Sequence, residues 1–200
     1  MPKSATRIQQ KNQAAIMAAG LEVFSQFGFR GSTLDQVADA AGLSKPNLLY
    51  YFPSKDAIYS ALLSRLLENW LEPLHQMDDN GDPVEEILAY ANRKLAMSRD
   101  FPRESRLFAN EILQGAPRIK DVLAGELREL VEAKATVIEG WIADGKIRPV
   151  DPVHLIFSIW SLTQHYADFD VQVRSILGDT DPFVSAESHL DDVFRRLLAV

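Results

Sequence analysis

Apolar residues recur along this chain at spacings of three and four, which is the period of a helix with one buried face. Ile16, Ala19, Val23, Phe24 and Phe27 mark a first helix over residues 11–27, and Gly28 stands where such a helix stops. Thr33 with Gln36 three residues on forms a capping box that opens a short second helix carrying Val37, Ala38 and Ala41, and Gly42 ends it. Ser44 caps a third helix, with Pro46 in its first turn, where the missing N–H costs nothing; Leu48, Leu49, Tyr50, Tyr51 and Phe52 follow before Pro53. A longer amphipathic run starts at Ser54 and passes Ile58, Ala61, Leu62, Leu66 and Trp70 to Pro73, as a strut would.

Residues 77–83 are the clearest loop, and helical patterns return over 84–99, 103–114, 118–144, 152–176 and 183–199. Sustained alternation is missing, so strands are not required. The expected fold is all-α with about nine or ten helices. It divides into an N-terminal three-helix domain over residues 1–55 and a C-terminal helical bundle over 56–200.

Composition narrows the function classes. The chain of 200 residues contains no Cys, which removes disulfides and thiolate metal sites. His75, His154, His165 and His189 are scattered without metal-ligand spacing, so no metal and no cofactor is expected. The polar start and the want of a long apolar run predict a soluble, cytoplasmic protein. The net charge of −7 divides unevenly: Lys3, Arg7, Lys11, Arg30, Lys45 and Lys55 against Glu22, Asp35 and Asp39 leave residues 1–55 at +3 and the rest at −10. A basic head on an acidic body suits a protein that meets phosphate with one end only.

The connection Ala41-Gly42-Leu43-Ser44 joins two short helices tightly enough for a helix-turn-helix, with small Ala38 and Ala41 at the crossing. Phe24, Gly28, Thr33, Val37, Ala38, Ala41, Gly42, Leu43, Ser44, Tyr50, Phe52, Pro53, Ser54 and Lys55 resemble the DNA-binding head of the TetR family in kind and spacing. Pro46 and Leu49 depart from it, the second standing where the family usually has a phosphate-contacting Tyr. The resemblance implies that residues 1–55 are a helix-turn-helix DNA-binding domain and the C-terminal helical bundle over 56–200 an effector-binding and dimerisation domain, the homodimer reading a palindromic double-stranded DNA operator with two recognition helices in successive major grooves. Lys45 and Asn47 are the base-contact candidates, with Leu48 placed to touch a thymine methyl. Thr33, Ser44, Tyr51 and Lys55 are assigned to phosphates, with Tyr50 as an alternative to Tyr51 for the contact that Leu49 lacks.

Further along, Asn69-Trp70-Leu71-Glu72-Pro73, Ser105-Arg106-Leu107-Phe108, Gly115-Ala116-Pro117, Asp151-Pro152 and the run from His154 to Phe169 resemble the branch of that family that controls pyrimidine utilisation. That resemblance implies repression of a pyrimidine-catabolism operon, relieved by uracil or thymine; a different small aromatic or nitrogenous effector, or no effector, are the alternatives. A flat ring with alternating donors and acceptors needs stacking faces and an amide. Trp160 and Gln164 lie one turn apart on a helix with Phe157 a turn before, and Trp70 ends the strut. Spacing alone equally suits core packing for these residues; the resemblance implies that Trp70, Trp160 and Gln164 hold the pyrimidine. Phe108 and Asn110 are secondary candidates. His165 and Asp168 lie three apart on a helix without a nucleophile partner, and the head has no role in an enzyme, so catalysis is not expected, and they are read with Tyr166 as dimer-face or pocket-edge groups. Leu123, Leu127, Leu130, Val137 and Trp141 form a stripe suited either to a dimer face or to an internal core.

Overall fold

The computed structural model describes residues 7–200, so Lys3 lies outside the described residues. Every regular element among those residues is helical, with no strand. The helices are α1 (Arg7–Gly31), α2 (Leu34–Ala40), α3 (Lys45–Tyr51), α4 (Lys55–His75), α5 (Pro83–Asp100), α6 (Pro102–Leu113), α7 (Lys120–Val122), α8 (Arg128–Ala143), α9 (Pro152–Asp168), α10 (Asp170–Leu177) and α11 (Pro182–Leu198). A π-helical turn, Leu123–Leu127, makes α7 and α8 one continuous helix. Helix α4 runs past Pro73, and the expected helix over 152–176 is broken at Phe169, whose φ of −115° and ψ of 29° are not helical.

The chain forms two compact units. The first takes residues 7–67 together with 106–119, and the second takes 68–105 and 120–200. Its limits therefore differ from a cut at residue 55: the start of α4 and the α6–α7 turn group with the N-terminal helices. In this first unit Ile16, Val23, Phe24, Val37, Leu48, Ile58, Leu62 and Leu63 are buried. A Cβ at Gly20 would come within 2.9 Å of Ile58 Cγ2, so α1 and α4 cross with no room for a side chain there.

Local signals place the helices of the second unit. Asp82, Asp151 and Asp181 each cap a helix by accepting from its first N–H groups, and each is followed by Pro at the first helical position. These are α5, α9 and α11, which pack on one another. Leu130 and Trp141 are buried within this unit, and Trp141 Nε1 donates to the Asp79 carbonyl at 3.1 Å. Of the two readings of that stripe, internal core is the one observed for these two side chains. Lys134 is buried beside them, its ammonium satisfied by the Met77 carbonyl at 2.8 Å and Asp79 Oδ1 at 2.7 Å.

Candidate functional site

The head is built by caps at both of its short helices. Gln36 N donates to Thr33 Oγ1 at 3.2 Å while Thr33 N donates to Gln36 Oε1 at 2.8 Å, completing the capping box. Gly42 at φ 66° follows α2, and Leu43 N reaches back to the Ala38 carbonyl at 2.9 Å, turning the chain into α3. Ser44 accepts from Asn47 N. Thr33, Ser44, Lys45 and Asn47 are all exposed around the starts of α2 and α3, as a groove-reading surface requires. Lys45 is paired with Asp35 at 2.9 Å; the pair is exposed, so phosphate or a base edge can replace the carboxylate at little cost.

Tyr50 is 71% exposed and Tyr51 half-buried, their rings edge to face at 5.1 Å. Asn12 Nδ2 donates to the Tyr51 hydroxyl at 2.9 Å and Gln9 Nε2 to the Tyr50 hydroxyl at 3.4 Å, tying α3 to α1.

Two assignments need correction. Leu48 is 0% exposed: it points into the head's core, and the exposed neighbour is Leu49. Lys55 is turned inward. Its ammonium donates to the carbonyls of Phe29 at 2.7 Å and Ser32 at 2.6 Å and sits 4.4 Å from the Phe29 ring centre, so it closes the end of α1 instead of facing phosphate.

An unforeseen feature of this unit is a buried charge cluster. Glu111 at the end of α6 accepts from Arg118 N at 3.0 Å and Arg118 Nη1 at 3.2 Å, and Arg118 Nε reaches Asp56 Oδ1 at 3.1 Å. The guanidinium stacks 3.7 Å from the Phe29 ring centre and 5.1 Å from that of Tyr59. Burial, then the Glu111 charge, push the Tyr59 phenol up to about 12 against the opposing pull of Arg118. Helical periodicity marks Glu111 only as a charge on a mostly polar helix, and no local signal pairs it with Phe29 or Asp56.

In the second unit Trp160 Nε1 donates to the Tyr90 hydroxyl at 2.6 Å, which joins α9 to α5. Trp70 is buried, and the Lys94 ammonium lies 5.5 Å from its ring centre. Ser105 Oγ donates to Asp168 Oδ1 at 2.5 Å. Trp160, Gln164 and Asp168 occupy successive turns of α9, as Tyr90, Lys94 and Ser98 do on α5. The Tyr90–Trp160 bond and the pull of Asp168 on Lys94 show that the two helices run in the same direction. Lys94 and Gln164 each lie four residues beyond a member of the Tyr90–Trp160 bond. Tyr90 and Lys94 escaped attention in the sequence, although a lysine in phase with Ile87, Ala91 and Ser98 on the buried face of α5 is itself a signal.

The remaining candidates lie elsewhere. Phe157 touches Trp160, with ring centres 5.4 Å apart, but is 45% exposed on the outer side of α9. Phe108 is half-buried and Asn110 exposed on the part of α6 that belongs to the first unit, so the inner position expected for Asn110 is not observed. His165 is exposed and stacked on Phe169 at 5.0 Å; with Tyr166 it borders a groove completed by Ile176, Leu177 and His189. No helix among the described residues is long and apolar enough to cross a membrane.

Known proteins agree with this geometry. Residues 16–62 match the model for bacterial regulatory proteins of the tetR family, and residues 63–199 match that for the C-terminal region of YcdC-like proteins. The HTH-type transcriptional regulator RutR of Escherichia coli K12 is 49% identical over 175 residues, 88% of this chain and 82% of that protein. Among solved structures, a regulator from Streptomyces coelicolor, SCO4942, superposes with a TM-score of 0.75 at 22% identity over 94% of this chain and 98% of its own. AibR, solved with isovaleryl coenzyme A and operator DNA, gives 0.70 at 16% identity over 91% and 97%. The chain belongs to the TetR family and is a DNA-binding transcriptional regulator, not an enzyme.

Proposed function

We propose that this regulator is a cytoplasmic homodimeric repressor of a pyrimidine-catabolism operon, released from a palindromic operator when uracil or thymine binds between α5 and α9. The observation that carries the reading is the pairing of Trp160 with Tyr90 and of Trp70 with Lys94 inside one compact unit, with Gln164 one turn beyond Trp160 on α9. Two indole faces, an amide, a phenol and an ammonium suit a flat ring edged with carbonyls and N–H groups. The 49% identity with RutR and the sequence resemblance to pyrimidine-utilisation regulators point the same way.

Lys45 and Asn47 read bases, Leu49 replaces Leu48 as the apolar group facing the groove, and Thr33, Ser44 and Tyr51 or Tyr50 hold phosphates. A second copy of the chain covers the exposed apolar side chains of α9, α10 and α11, namely Phe157, Phe169, Ile176, Leu177, Val184 and Leu197. Helix α4 carries the signal, because one end of it follows the recognition helix through Phe52 and Pro53 and the other bears Trp70. A ligand moves such an equilibrium only by its unequal affinity for the two states.

The test is a pair of titrations with uracil, thymine, cytosine and a purine, into free protein and into the operator complex at one salt concentration. Uracil or thymine is expected to release the operator, and the operator to weaken pyrimidine binding by the same factor. Release by none of the four, or equal affinities in the two titrations, refutes the reading.

A further inference from the structure

An anion stands on the surface that meets DNA. Asp35, in the first turn of α2, holds its Oδ2 2.9 Å from the Lys45 ammonium at the start of α3, and the two side chains are 64% and 47% exposed. An exposed ion pair adds little to stability wherever it stands. Beside Thr33, Ser44 and Asn47, however, a carboxylate repels phosphate and weakens binding unless something on the duplex matches it.

The edge of a base pair supplies that match. In the major groove guanine shows two acceptors, N7 and O6, while its partner cytosine shows a donor, the N4 amino group, and the pairing itself holds O6 and N4 one hydrogen bond apart. The Lys45 ammonium and the Asp35 carboxylate are likewise one hydrogen bond apart, with donor and acceptor reversed. Resting on the assignment of Lys45 to base reading above, we propose that Lys45 and Asp35 together read one G·C pair in each half-site: the ammonium donates to guanine, the carboxylate accepts from cytosine N4, and their own bond is kept. The three donors of the ammonium cover Asp35, O6 and N7. Turning the pair over sets donor against donor and acceptor against acceptor. An A·T pair places its two acceptors on opposite sides of the adenine N6 amino group, so the ammonium loses one of them. Phosphate offers oxygens only, and Lys45 reaches it by leaving Asp35 or by bringing the carboxylate against a second anion. Asp35 is thus a specificity determinant: it weakens binding to every sequence and is matched only on the right base pair.

Competition binding of full-length wild type, Asp35→Ala, Lys45→Ala and Asn47→Ala tests this, with an operator library varied at each half-site position and with non-specific duplex over a range of salt. The wild type is expected to prefer G·C at one position by about 10- to 100-fold, and Lys45→Ala to relax that position. Asp35 is exposed and takes no part in the Thr33–Gln36 capping box, so Asp35→Ala keeps the fold. It is expected to lower the preference at the same position to about fivefold or less and to leave the position relaxed by Asn47→Ala unchanged. Non-specific duplex should bind about two- to tenfold tighter, with a salt slope steeper by about one unit per subunit, because Lys45 is then released to phosphate. A G·C preference that survives Asp35→Ala, or an A·T pair at the position that Lys45 reads, overturns the inference and leaves Lys45 a base reader. Lys45→Ala that relaxes no position overturns that assignment and the inference with it.

Discussion

Replacing Arg118 by Met removes the guanidinium from Glu111, whose side chain is 1% exposed, while leaving one donor, the backbone N–H of residue 118. Breaking a buried ion pair from one side costs about 3–5 kcal/mol, because the surviving charge keeps its desolvation penalty without the compensating attraction. The retained backbone bond and the 19% exposure of the Arg118 side chain place this case at the lower end, about 3 kcal/mol. Contact with the Phe29 and Tyr59 rings adds up to about 1 kcal/mol. Glu111→Gln keeps one acceptor oxygen but sets its NH₂ against the other Arg118 donor, so about 1–3 kcal/mol is expected. The double variant leaves no buried charge without a partner and should be more stable than Arg118→Met alone, with a coupling of about 1.5 kcal/mol or more. Urea unfolding followed by far-ultraviolet circular dichroism gives the three differences, provided the slope of the transition is unchanged. Additivity within about 0.5 kcal/mol would refute the claim that the two side chains act as a pair.

Asn47→Ala and Lys45→Ala should each weaken operator binding by about 1–3 kcal/mol and relax preference at one position per half-site, whereas Leu48→Ala should cost about 2–5 kcal/mol of stability without changing which sequence is preferred; binding-site selection from a random library separates the outcomes. Burial pushes the Lys94 ammonium down from 10.5 to about 8, with the Asp168 charge opposing, so between those values the unfolded chain binds more protons and stability should rise with pH. The penalty is present in full below pH 8 and amounts to about 1–3 kcal/mol; Lys94→Met should be more stable than wild type at pH 7 and lack the rise, as thermal melts from pH 7 to 9.5 would show. Tyr59 and Tyr90, both pushed up chiefly by burial, lose their contribution only above about pH 10 and do not enter that window.

Element starts were legible in the sequence because they rest on neighbours: the Thr33–Gln36 box, the Ser44 cap and Gly42 all act within a few residues of themselves. The phase of α3 was misjudged at Leu48, since in a helix of seven residues flanked by apolar groups the pattern Leu48-Leu49-Tyr50-Tyr51 does not say which side faces inward. What periodicity cannot report is the partner. It marks Trp141 and Leu130 as apolar on one face, yet only the fold sets that face against the rest of their own unit. The grouping of residues 106–119 with the head depends on Arg118 meeting Phe29 and Asp56, far away in sequence. Trp160 and Gln164 were singled out by resemblance, and their neighbours Tyr90 and Lys94 became visible only once α5 and α9 were laid side by side.

The Asp-Pro pairs that begin α5 and α9 act as the zero marks of two rulers. Tyr90 stands eight residues beyond Asp82 and Trp160 nine beyond Asp151, so both rings lie about 12–14 Å along their helices from a common end. Evolution is thereby left free in one place and bound in another. A change of length within residues 144–150 leaves the count from Asp151 to Trp160 intact, at the expense only of buried Ile147 and the Arg148 N–H bond to the Leu198 carbonyl, whereas one codon gained between Pro152 and Trp160 would turn every later side chain of α9 by about 100° and carry Trp160 away from Tyr90. Homologous regulators that keep this ligand site should vary in the first interval and hold the second constant in length, whatever their sequence identity.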